Sequence, residues 1–358
     1  YTPPIVVNTP YMSLDQLEEI LASGQADMIS SARMFICNDD ISGLLRSGCG
    51  EDLRPCIECN ICRGSSFTGD WQSHCTINPR IGIEHHVESY IQPVTKKKRL
   101  AIVGGGPAAM NCALWLTERG HSVVLYEKTE SLGGQLICAG TPDFKWRLRR
   151  YLDYLVYQIE KAPVELHLGT PATPEQIKAG GFDVVVAATG ALPKLPPIEG
   201  AKHAKWNIMN IYGHEEEIGK RVIVIGGASG AAEGAIHLAR NGHEVLELSR
   251  KNIVAYDLNP IRARGYTNQL AVKSGVRIKP NAQCTKIEPG RVTYINMHGK
   301  LCTDECDDIL ASGGMEANRD AAIAFYGLTD EFFVIGDAHK AGNLRTAVRE
   351  AYAAAMRI

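Results

Sequence analysis

The chain has 358 residues with 45% hydrophobic content, which is enough to build ordinary cores in roughly two to three domains. Its formal net charge is -2, so its charge balance gives no reason to expect nucleic acid or an anionic membrane as a partner. The sequence contains no apolar run long enough to span a membrane, and it opens without a signal peptide. Nucleic-acid-binding and membrane-spanning classes are therefore not expected.

The first segment of the chain predicts a single β-α-β unit. Residues 3–8 (PPIVVN) and 26–31 (ADMISS) are short apolar runs typical of strands. Between them, Ser13 and Gln16 match the capping box of a helix. Neither run alternates apolar and polar residues, so both strands are expected to be covered on both faces, as in parallel barrels. We interpret residues 1–55 as the last β/α units of a (β/α)8 barrel and expect the remaining barrel segment to belong to a longer polypeptide.

Four cysteines follow with the spacing C-x2-C-x2-C-x12-C, namely Cys56, Cys59, Cys62 and Cys75. Three thiolates on one short loop reach different corners of a cubane and a fourth completes the site, which predicts a 4Fe-4S cluster in segment 56–95. Zinc is the alternative, but zinc ligands usually come as two separated pairs. The remaining cysteines show no second ligand pattern and are interpreted as buried thiols. Cluster-type cysteines indicate a reducing compartment, so we expect a cytoplasmic protein.

An internal repeat dominates the rest of the chain. The sequence of residues 101–128 recurs in similar form at residues 222–250 in a constant register. Each copy predicts a strand, a glycine-rich turn, a helix and a second strand. A later pair, 184–190 and 307–314, recurs at nearly the same spacing as a strand that ends in small residues. A glycine-rich turn between a strand and a helix is the context that a dinucleotide-binding fingerprint requires. Its repetition predicts two Rossmann-like units.

The predicted fold class is therefore α/β, with the end of a (β/α)8 barrel, a 4Fe-4S cluster loop and two nested Rossmann-like dinucleotide-binding domains. Residues 96–212 and 319–358 are assigned to a domain that binds FAD or ADP. Residues 213–318 are assigned to an inserted NAD(P)-binding-like domain.

The first glycine-rich turn has an intact fingerprint. Gly104 allows the tight turn, Gly106 lets the backbone approach a pyrophosphate, and the next helix offers its N-terminal amides. Glu127 closes the second strand, where a carboxylate accepts hydrogen bonds from an adenosine ribose. Asp337 is predicted to hydrogen-bond a ribityl or pyrophosphate group of FAD, and a plain helix N-cap is the alternative. The predicted site comprises Gly104, Gly106, Pro107, Ala108, Glu127, Lys128, Gly134, Gln135, Thr189, Gly190, Gly336 and Asp337.

The second glycine-rich turn is altered at two positions that would contact a nucleotide. Gly226 is retained, but Ala228 places a methyl group where a pyrophosphate crosses the backbone, and Ser249 replaces the ribose carboxylate. Arg250 beside it favours a 2′-phosphate, so NADPH is expected over NADH if a pyridine nucleotide binds. A weak or vestigial site and a working site both stay open.

The order of these motifs resembles one known family over essentially the whole chain. The segments ARMFICNDD, CIECNIC, KKKRLAIVGGGPAAM, ATGALP and IGDA are similar to the trimethylamine dehydrogenase and 2,4-dienoyl-CoA reductase family. This resemblance implies FMN in an N-terminal barrel, a 4Fe-4S cluster, and a C-terminal region that binds FAD and NAD(P)H or, in trimethylamine dehydrogenase, ADP. It also implies that Arg33, with Asn8 and Thr9 beside it, binds the FMN phosphate after the last two barrel strands.

The cysteine spacing is similar to the amine dehydrogenase branch of that family, whereas the dienoyl-CoA reductase branch is typically C-x2-C-x3-C-x11-C. The resemblance thus implies a flavin- and Fe-S-dependent oxidoreductase, an amine dehydrogenase or N-demethylase, that acts on a small-molecule substrate and delivers electrons to an electron-transfer flavoprotein. The alternatives are an NAD(P)H-dependent ene-reductase and an electron-transfer module without its own catalytic barrel. No catalytic acid or base is assigned, and we expect a homo-oligomer.

Overall fold

The computed structural model describes residues 3–9, 13–63, 74–84, 94–258 and 261–358. The chain forms two compact units. The first comprises Tyr1–Leu136, Arg147–Thr189 and Arg319–Ile358, and the second comprises Ile137–Trp146 and Gly190–Asn318. The second unit contains the predicted insertion and interrupts the first along the chain.

The strands are β1 Val6–Asn8, β2 Met28–Ser30, β3 Arg99–Val103, β4 Ser122–Tyr126, β5 Val164–His167, β6 Val184–Ala187, β7 Ala191–Pro193, β8 Arg221–Ile225, β9 Glu244–Leu248, β10 Arg277–Lys279, β11 Gln283–Glu288, β12 Arg291–Ile295, β13 Leu301–Glu305, β14 Asp308–Ala311, β15 Met315–Ala317 and β16 Glu331–Val334. The α-helices are α1 Leu14–Ala22, α2 Ala32–Cys37, α3 Ile41–Arg46, α4 Pro107–Glu118, α5 Gln135–Gly140, α6 Trp146–Lys161, α7 Pro174–Ala179, α8 Ser229–Arg240, α9 Ile261–Lys273, α10 Arg319–Ile323 and α11 Leu344–Arg357. Within the described ranges, none of the helices combines the length and the apolar character that crossing a bilayer requires.

The first unit is built on a five-stranded parallel sheet with the order β16-β6-β3-β4-β5. The inner residues of β3, β4 and β6 are apolar and buried, as expected for parallel strands covered on both faces. α4 starts at Pro107, which is tolerated there because the first amides of a helix have no partner within it. α11 is capped by the Asn343 side chain, which accepts from Thr346 N, and it packs against α4.

β1 and β2 form a separate parallel pair, as the predicted β-α-β unit requires. Ser13 and Gln16 make the predicted capping box at the start of α1. Val6 and Met28 are 53% and 49% exposed, so the cover expected on both faces of these strands is not supplied by the described part of this chain. The physical reason is that, in the described part of the chain, these two strands pair only with each other.

The second unit contains a parallel sheet with the order β10-β9-β8-β14. Here β14, β8, β9 and β10 take the places that β6, β3, β4 and β5 take in the first unit, so the internal repeat is visible in the strand order. An antiparallel sheet, β11-β12-β13, and the antiparallel pair β7 and β15 complete the unit. The fold is thus mixed α/β with Rossmann-like units.

Glu247 is an acidic residue in the middle of an apolar strand of the second unit. It lies on β9 between Leu246 and Leu248 and is fully buried. Neither carboxylate oxygen has a hydrogen-bond partner among the described residues. Burial raises the pKa of this carboxyl to about 8. The folded protein therefore keeps Glu247 mostly protonated at neutral pH, whereas the unfolded chain releases that proton.

Because folding binds this proton, stability is predicted to fall as the pH rises from the ordinary glutamate value of 4.5 to about 8. The slope is at most about 1.4 kcal/mol per pH unit. Glu247→Gln removes the titrating group, so its melting temperature is expected to vary less over this window. Thermal unfolding at several pH values measures the difference, with exposed Glu244→Gln on the same strand as the control. Parallel pH profiles for wild type and Glu247→Gln would contradict the prediction.

Candidate functional site

The glycine-rich turn after β3 combines a crowded position with an open one. Gly104 has φ +110°, and a Cβ there would lie 2.3 Å from the carbonyl oxygen of Ala188. No side chain fits at that point. Gly106 faces open space, since a Cβ built on it meets no atom within 4 Å. α4 starts at the next residue, so its unpaired N-terminal amides lie at the edge of this opening.

Glu127 is buried directly after β4 and braces this turn. Its Oε2 accepts a hydrogen bond from Gly105 N at 2.6 Å. Its Oε1 accepts from both N and Oγ1 of Thr129 at 2.8 Å. A carboxylate offers about four acceptor positions, so these three bonds leave little capacity for a ligand. The structure shows Glu127 fixing the turn, and its contact with ribose stays a prediction.

A second glycine turn lies against the first. Gly133 N donates to Gly105 O at 2.8 Å. A Cβ on Gly134 would be 3.1 Å from the Cα of Gly106. Gln135 begins α5 directly afterwards and is half-buried. The two turns together form a surface made largely of backbone, as close approach by a dinucleotide requires.

The loop after β16 also reaches this surface. Gly336 has φ +63°, and a Cβ there would lie 2.8 Å from the Cβ of Ala108 on α4. Asp337 Oδ1 accepts from Gly342 N at 3.0 Å, and burial raises the pKa of its carboxyl. The alternative that Asp337 caps a helix is wrong, because Asn343 caps α11.

The remaining predicted residues of this site lie at the same edge of the sheet. Thr189 follows β6 and is half-buried, and Lys128 follows Glu127 and is exposed. Gly190 has φ +74° and is the first residue of this segment assigned to the second unit. Turns after β3, β4, β6 and β16 thus meet at the carboxyl edge of one parallel sheet, which is where open α/β sheets bind ligands.

The four predicted cluster ligands line one cavity of the first unit. Cys56, Cys59, Cys62 and Cys75 lie on its wall together with Cys37 and Arg33. Glu58 and Asn60 have φ +52° and +59°, a left-handed conformation that is uncommon outside glycine. These two residues curve the loop so that three cysteines face the same cavity. Among the residues that the structure describes, no set of His, Cys, Asp and Glu is arranged to hold a single metal ion.

Hydrogen-bond donors point at the cysteine sulfurs. Glu58 N donates to Cys56 Sγ at 3.3 Å, and the Thr76 hydroxyl lies 3.1 Å from Cys59 Sγ. The Cys37 thiol and, after it, the amides of Ile77 and Asn78 lower the pKa of Cys75 to about 6, although burial opposes them. The Thr76 hydroxyl is thus a side-chain hydrogen-bond partner of the cysteine loop, and Ser65 and Ser66, two other hydroxyl residues near the motif, lie outside the described residues.

Ion pairs join the cysteine segment and its flanks to two helices of the same unit. The pairs are Asp52 with Lys161 at 2.6 Å, Glu58 with Arg147 at 2.9 Å and Arg80 with Glu118 at 2.5 Å. Lys161 and Arg147 belong to α6, and Glu118 belongs to α4. Partly exposed pairs contribute little stability, so their main consequence is to position the segment.

The residues predicted to bind an FMN phosphate follow the carboxyl ends of β1 and β2. Asn8 ends β1, and Thr9 N donates to Ser30 O at 2.8 Å. The Thr9 hydroxyl is buried and has no hydrogen-bond partner within the described ranges. Arg33 lies near the start of α2, on the wall of the cysteine cavity, with its Nη1 3.8 Å from Glu58 Oε2. An unpaired buried hydroxyl beside two strand ends fits a phosphate, and the assignment stays a prediction.

The glycine-rich turn of the second unit is also crowded at its first two glycines. Gly226 has φ +152°, and a Cβ there would lie 2.9 Å from the Cβ of Ala231. A Cβ on Gly227 would lie 2.3 Å from the Ser249 hydroxyl oxygen. Ser249 is buried, and Arg250 after it is exposed.

A carboxylate that sequence analysis missed lies at the N-terminus of α8. Asp257 accepts from Ser229 N at 2.6 Å and from Ser229 Oγ at 2.8 Å. Tyr256 N donates to Gly227 O at 3.3 Å. Ala255 before it holds φ +53°. The loop therefore covers the turn and places its own anion where a helix N-terminus would bind phosphate. No local motif marks Asp257, because it belongs to the loop beyond the second strand of the repeat.

Comparison with known proteins identifies relatives of the chain. Residues 98–354 match the family described as pyridine nucleotide-disulphide oxidoreductase. An NADH oxidase from Thermoanaerobacter brockii is 31% identical over 99% of this chain and 56% of its own length. A dimethylamine dehydrogenase from Hyphomicrobium sp. (strain x) is 28% identical over 83% of this chain and 43% of its own length.

A solved structure has the same fold along the chain. The complex of 2-naphthoyl-CoA reductase with 2-naphthoyl-CoA matches 100% of this chain and 54% of that chain, with a TM-score of 0.93 and 30% identity. The match thus includes the cysteine segment as well as both Rossmann-like units. The chain spans about half the length of the curated relatives it matches.

Replacing Glu127 tests its bracing role separately from any ligand. Glu127→Ala leaves the buried Gly105 amide without its acceptor, and hydrogen bonds to a charged group are worth about 1.5–3 kcal/mol each. We expect Glu127→Ala to lower both the stability of nucleotide-free protein and its retention of an adenine dinucleotide. Denaturant unfolding and cofactor extraction measure these effects, with exposed Glu130→Ala as the control. If nucleotide-free Glu127→Ala were as stable as wild type, the bracing role would be refuted.

Proposed function

The chain belongs to the trimethylamine dehydrogenase and 2,4-dienoyl-CoA reductase family, with a pyridine nucleotide-disulphide oxidoreductase domain over residues 98–354, and on this premise we propose that it transfers electrons between a 4Fe-4S cluster and FAD. The observation that carries the proposal is that one compact unit contains both the four-cysteine cavity and the backbone surface around Gly106. When bound, the cluster would supply one-electron transfer and FAD would couple it to two-electron chemistry.

The cysteine cavity fits a cluster in its donor set and in its surroundings. Its predicted ligands are all sulfur, and backbone amides together with the Thr76 hydroxyl satisfy sulfurs of the loop. Such donors hold thiolates in position and set the potential of a cluster. The chain would thus bind the cluster through Cys56, Cys59, Cys62 and Cys75 and shield it from water.

Metal analysis tests the cluster directly. Anaerobically purified wild-type protein is expected to contain about four iron and about four acid-labile sulfide per chain, the content of one 4Fe-4S cluster. Cys59→Ser is expected to lose most of both, because a ligand is removed. Cys302→Ser, which changes a thiol outside the cavity, is the matched control. Bound zinc without sulfide in the wild type would refute the cluster.

The surface around Gly106 fits the pyrophosphate of an adenine dinucleotide. The opening above Gly106, the N-terminal amides of α4 and the close second turn at Gly134 leave room for a phosphate against bare backbone. Asp337 lies at the same sheet edge and supports FAD over ADP, since its carboxylate can accept from a ribityl hydroxyl. Extraction and chromatography of the bound nucleotide distinguish FAD from ADP.

For the direction of electron flow, the first candidate is oxidation of a small amine, with electrons leaving through the cluster to an electron-transfer flavoprotein. The cysteine spacing supports it. So does Asp257, because an anion already at the N-terminus of α8 opposes the pyrophosphate of a pyridine nucleotide. One of the relatives is a dimethylamine dehydrogenase, and its name describes oxidation of an amine.

The second candidate is an NAD(P)H-dependent reductase of an unsaturated substrate. The NADH oxidase and the 2-naphthoyl-CoA reductase support it, because both match this chain at higher identity and over a larger share than the dimethylamine dehydrogenase does. Anaerobic mixing of the full-length protein with NADH, NADPH or dimethylamine, followed by flavin absorbance, decides between the two. Rapid bleaching by the amine favours the first candidate, and rapid bleaching by a pyridine nucleotide favours the second.

Removing the Asp257 charge tests its effect on the second turn. Asp257→Asn keeps a hydrogen-bonding side chain beside Ser229 but removes the anion, whose interaction with a helix N-terminus is worth up to about 2 kcal/mol. We expect the variant to bind NADPH roughly 10-fold more tightly than wild type, since about 1.4 kcal/mol is tenfold in affinity. Calorimetric titration measures it. Glu244→Gln, at the other end of β9, is the control, and equal affinities of wild type and Asp257→Asn would contradict the prediction.

A further inference from the structure

The cavity of the predicted cluster ligands has a fifth thiol on its wall, that of Cys37. Cys37 is the last residue of α2 and is 1% exposed. Arg33, Ile36 and Cys37 all line this cavity, because residues three and four positions apart share one face of a helix. α2 therefore presents the Cys37 side chain to the four cysteines, although Cys37 lies outside their motif.

Polar side chains from around the cysteine loop fix the end of α2. Asn78 Nδ2 donates to Ile36 O at 3.0 Å. Arg54 Nη1 donates to Cys37 O at 2.7 Å. Asn38 Oδ1 accepts from Arg54 N at 2.7 Å, which links the two segments again. Because Arg54 and Asn78 flank the four-cysteine motif, the backbone of Cys37 is held in register with the loop.

Cys37 lines the same cavity as Cys56 and Cys75, and its thiol does most to lower the pKa of each of these two cysteines. Among the described residues, backbone amides also donate to these sulfurs, that of Glu58 to Cys56 and those of Ile77 and Asn78 to Cys75. A neutral thiol carries one S–H to donate. Because the other four thiols on the described cavity wall are the predicted ligands, the Cys37 S–H is a side-chain donor available to both Cys56 and Cys75.

We propose that Cys37 is a positioning and tuning residue that donates an S–H···S hydrogen bond to the thiolate of Cys56 or Cys75 and so raises the reduction potential of the cluster. This inference rests on the proposed function, because it requires a cluster on Cys56, Cys59, Cys62 and Cys75. A donor to a ligand sulfur stabilises the more negative, reduced cluster, and hydrogen bonds to sulfur are an established determinant of cluster potentials. Cys37 itself is not a ligand.

The test is a redox titration of anaerobically purified full-length protein, with dithionite supplying one electron per cluster and the reduced cluster followed by electron paramagnetic resonance. Cys37→Ala is expected to keep wild-type iron and sulfide content and to shift the midpoint potential downward. Cys37→Ser, which restores a donor, is expected to recover part of the shift. Cys37→Val keeps the side-chain volume but has no hydrogen-bond donor, so it is expected to shift the potential as Cys37→Ala does. Agreement between the two variants shows that the shift does not come from a cavity left by the smaller side chain. Cys112→Ala, a buried thiol of α4 outside the cavity, is the control.

The outcomes separate this inference from the proposed function. An unchanged potential in Cys37→Ala and Cys37→Val, with full iron content, would overturn the inference and leave the cluster assignment intact. Loss of iron and sulfide in all three Cys37 variants would identify Cys37 as a ligand and also overturn it. A wild-type protein without iron and sulfide would refute the proposed function and this inference together.

Discussion

The first Rossmann-like unit depends on backbone segments that approach each other where no side chain fits. Gly104 packs against the carbonyl of Ala188, and Gly134 packs against Gly106. Each contact joins the turn after one strand of the sheet to the turn after another, so the carboxyl edge closes into a single surface. The carboxylate of Glu127 accepts a hydrogen bond from the Gly105 amide. Without this bond, the tight turn would leave that amide buried and unpaired.

The two copies of the repeat share a strand order but differ in the surface at the glycine-rich turn. In the first copy, the space above Gly106 is open and the amides of α4 lie beside it. In the second copy, Asp257 already occupies the equivalent helix end and Tyr256 bonds to Gly227. The strand order is the same in both. The open space that a phosphate would need is therefore determined by the turn and its neighbouring loop, and the sheet alone does not determine it.

Local patterns predicted most of the fold because they have local causes. The repeat predicted two Rossmann-like units, whose strand orders are equivalent, and the capping box at Ser13 formed as expected. Val6 on β1 and Met28 on β2 are exposed in this chain, and an apolar run alone does not identify the segment that covers a strand. Asp257 and Cys37 were missed because a lone acid in a loop and a lone thiol on a helix have no motif. Glu247 was missed because a single acid does not change the period of an apolar strand.

The nesting of the two units has a consequence for biosynthesis. The edge strand β16 and the helix α11 belong to Arg319–Ile358, which follows the inserted unit in the chain. During translation, all of the second unit leaves the ribosome before β6 acquires its neighbour β16 and α4 its neighbour α11. The inserted unit can fold while the first is incomplete, whereas the turn at Gly336 forms only afterwards. The surface proposed to bind a nucleotide in the first unit is consequently completed only after the second unit has been synthesised.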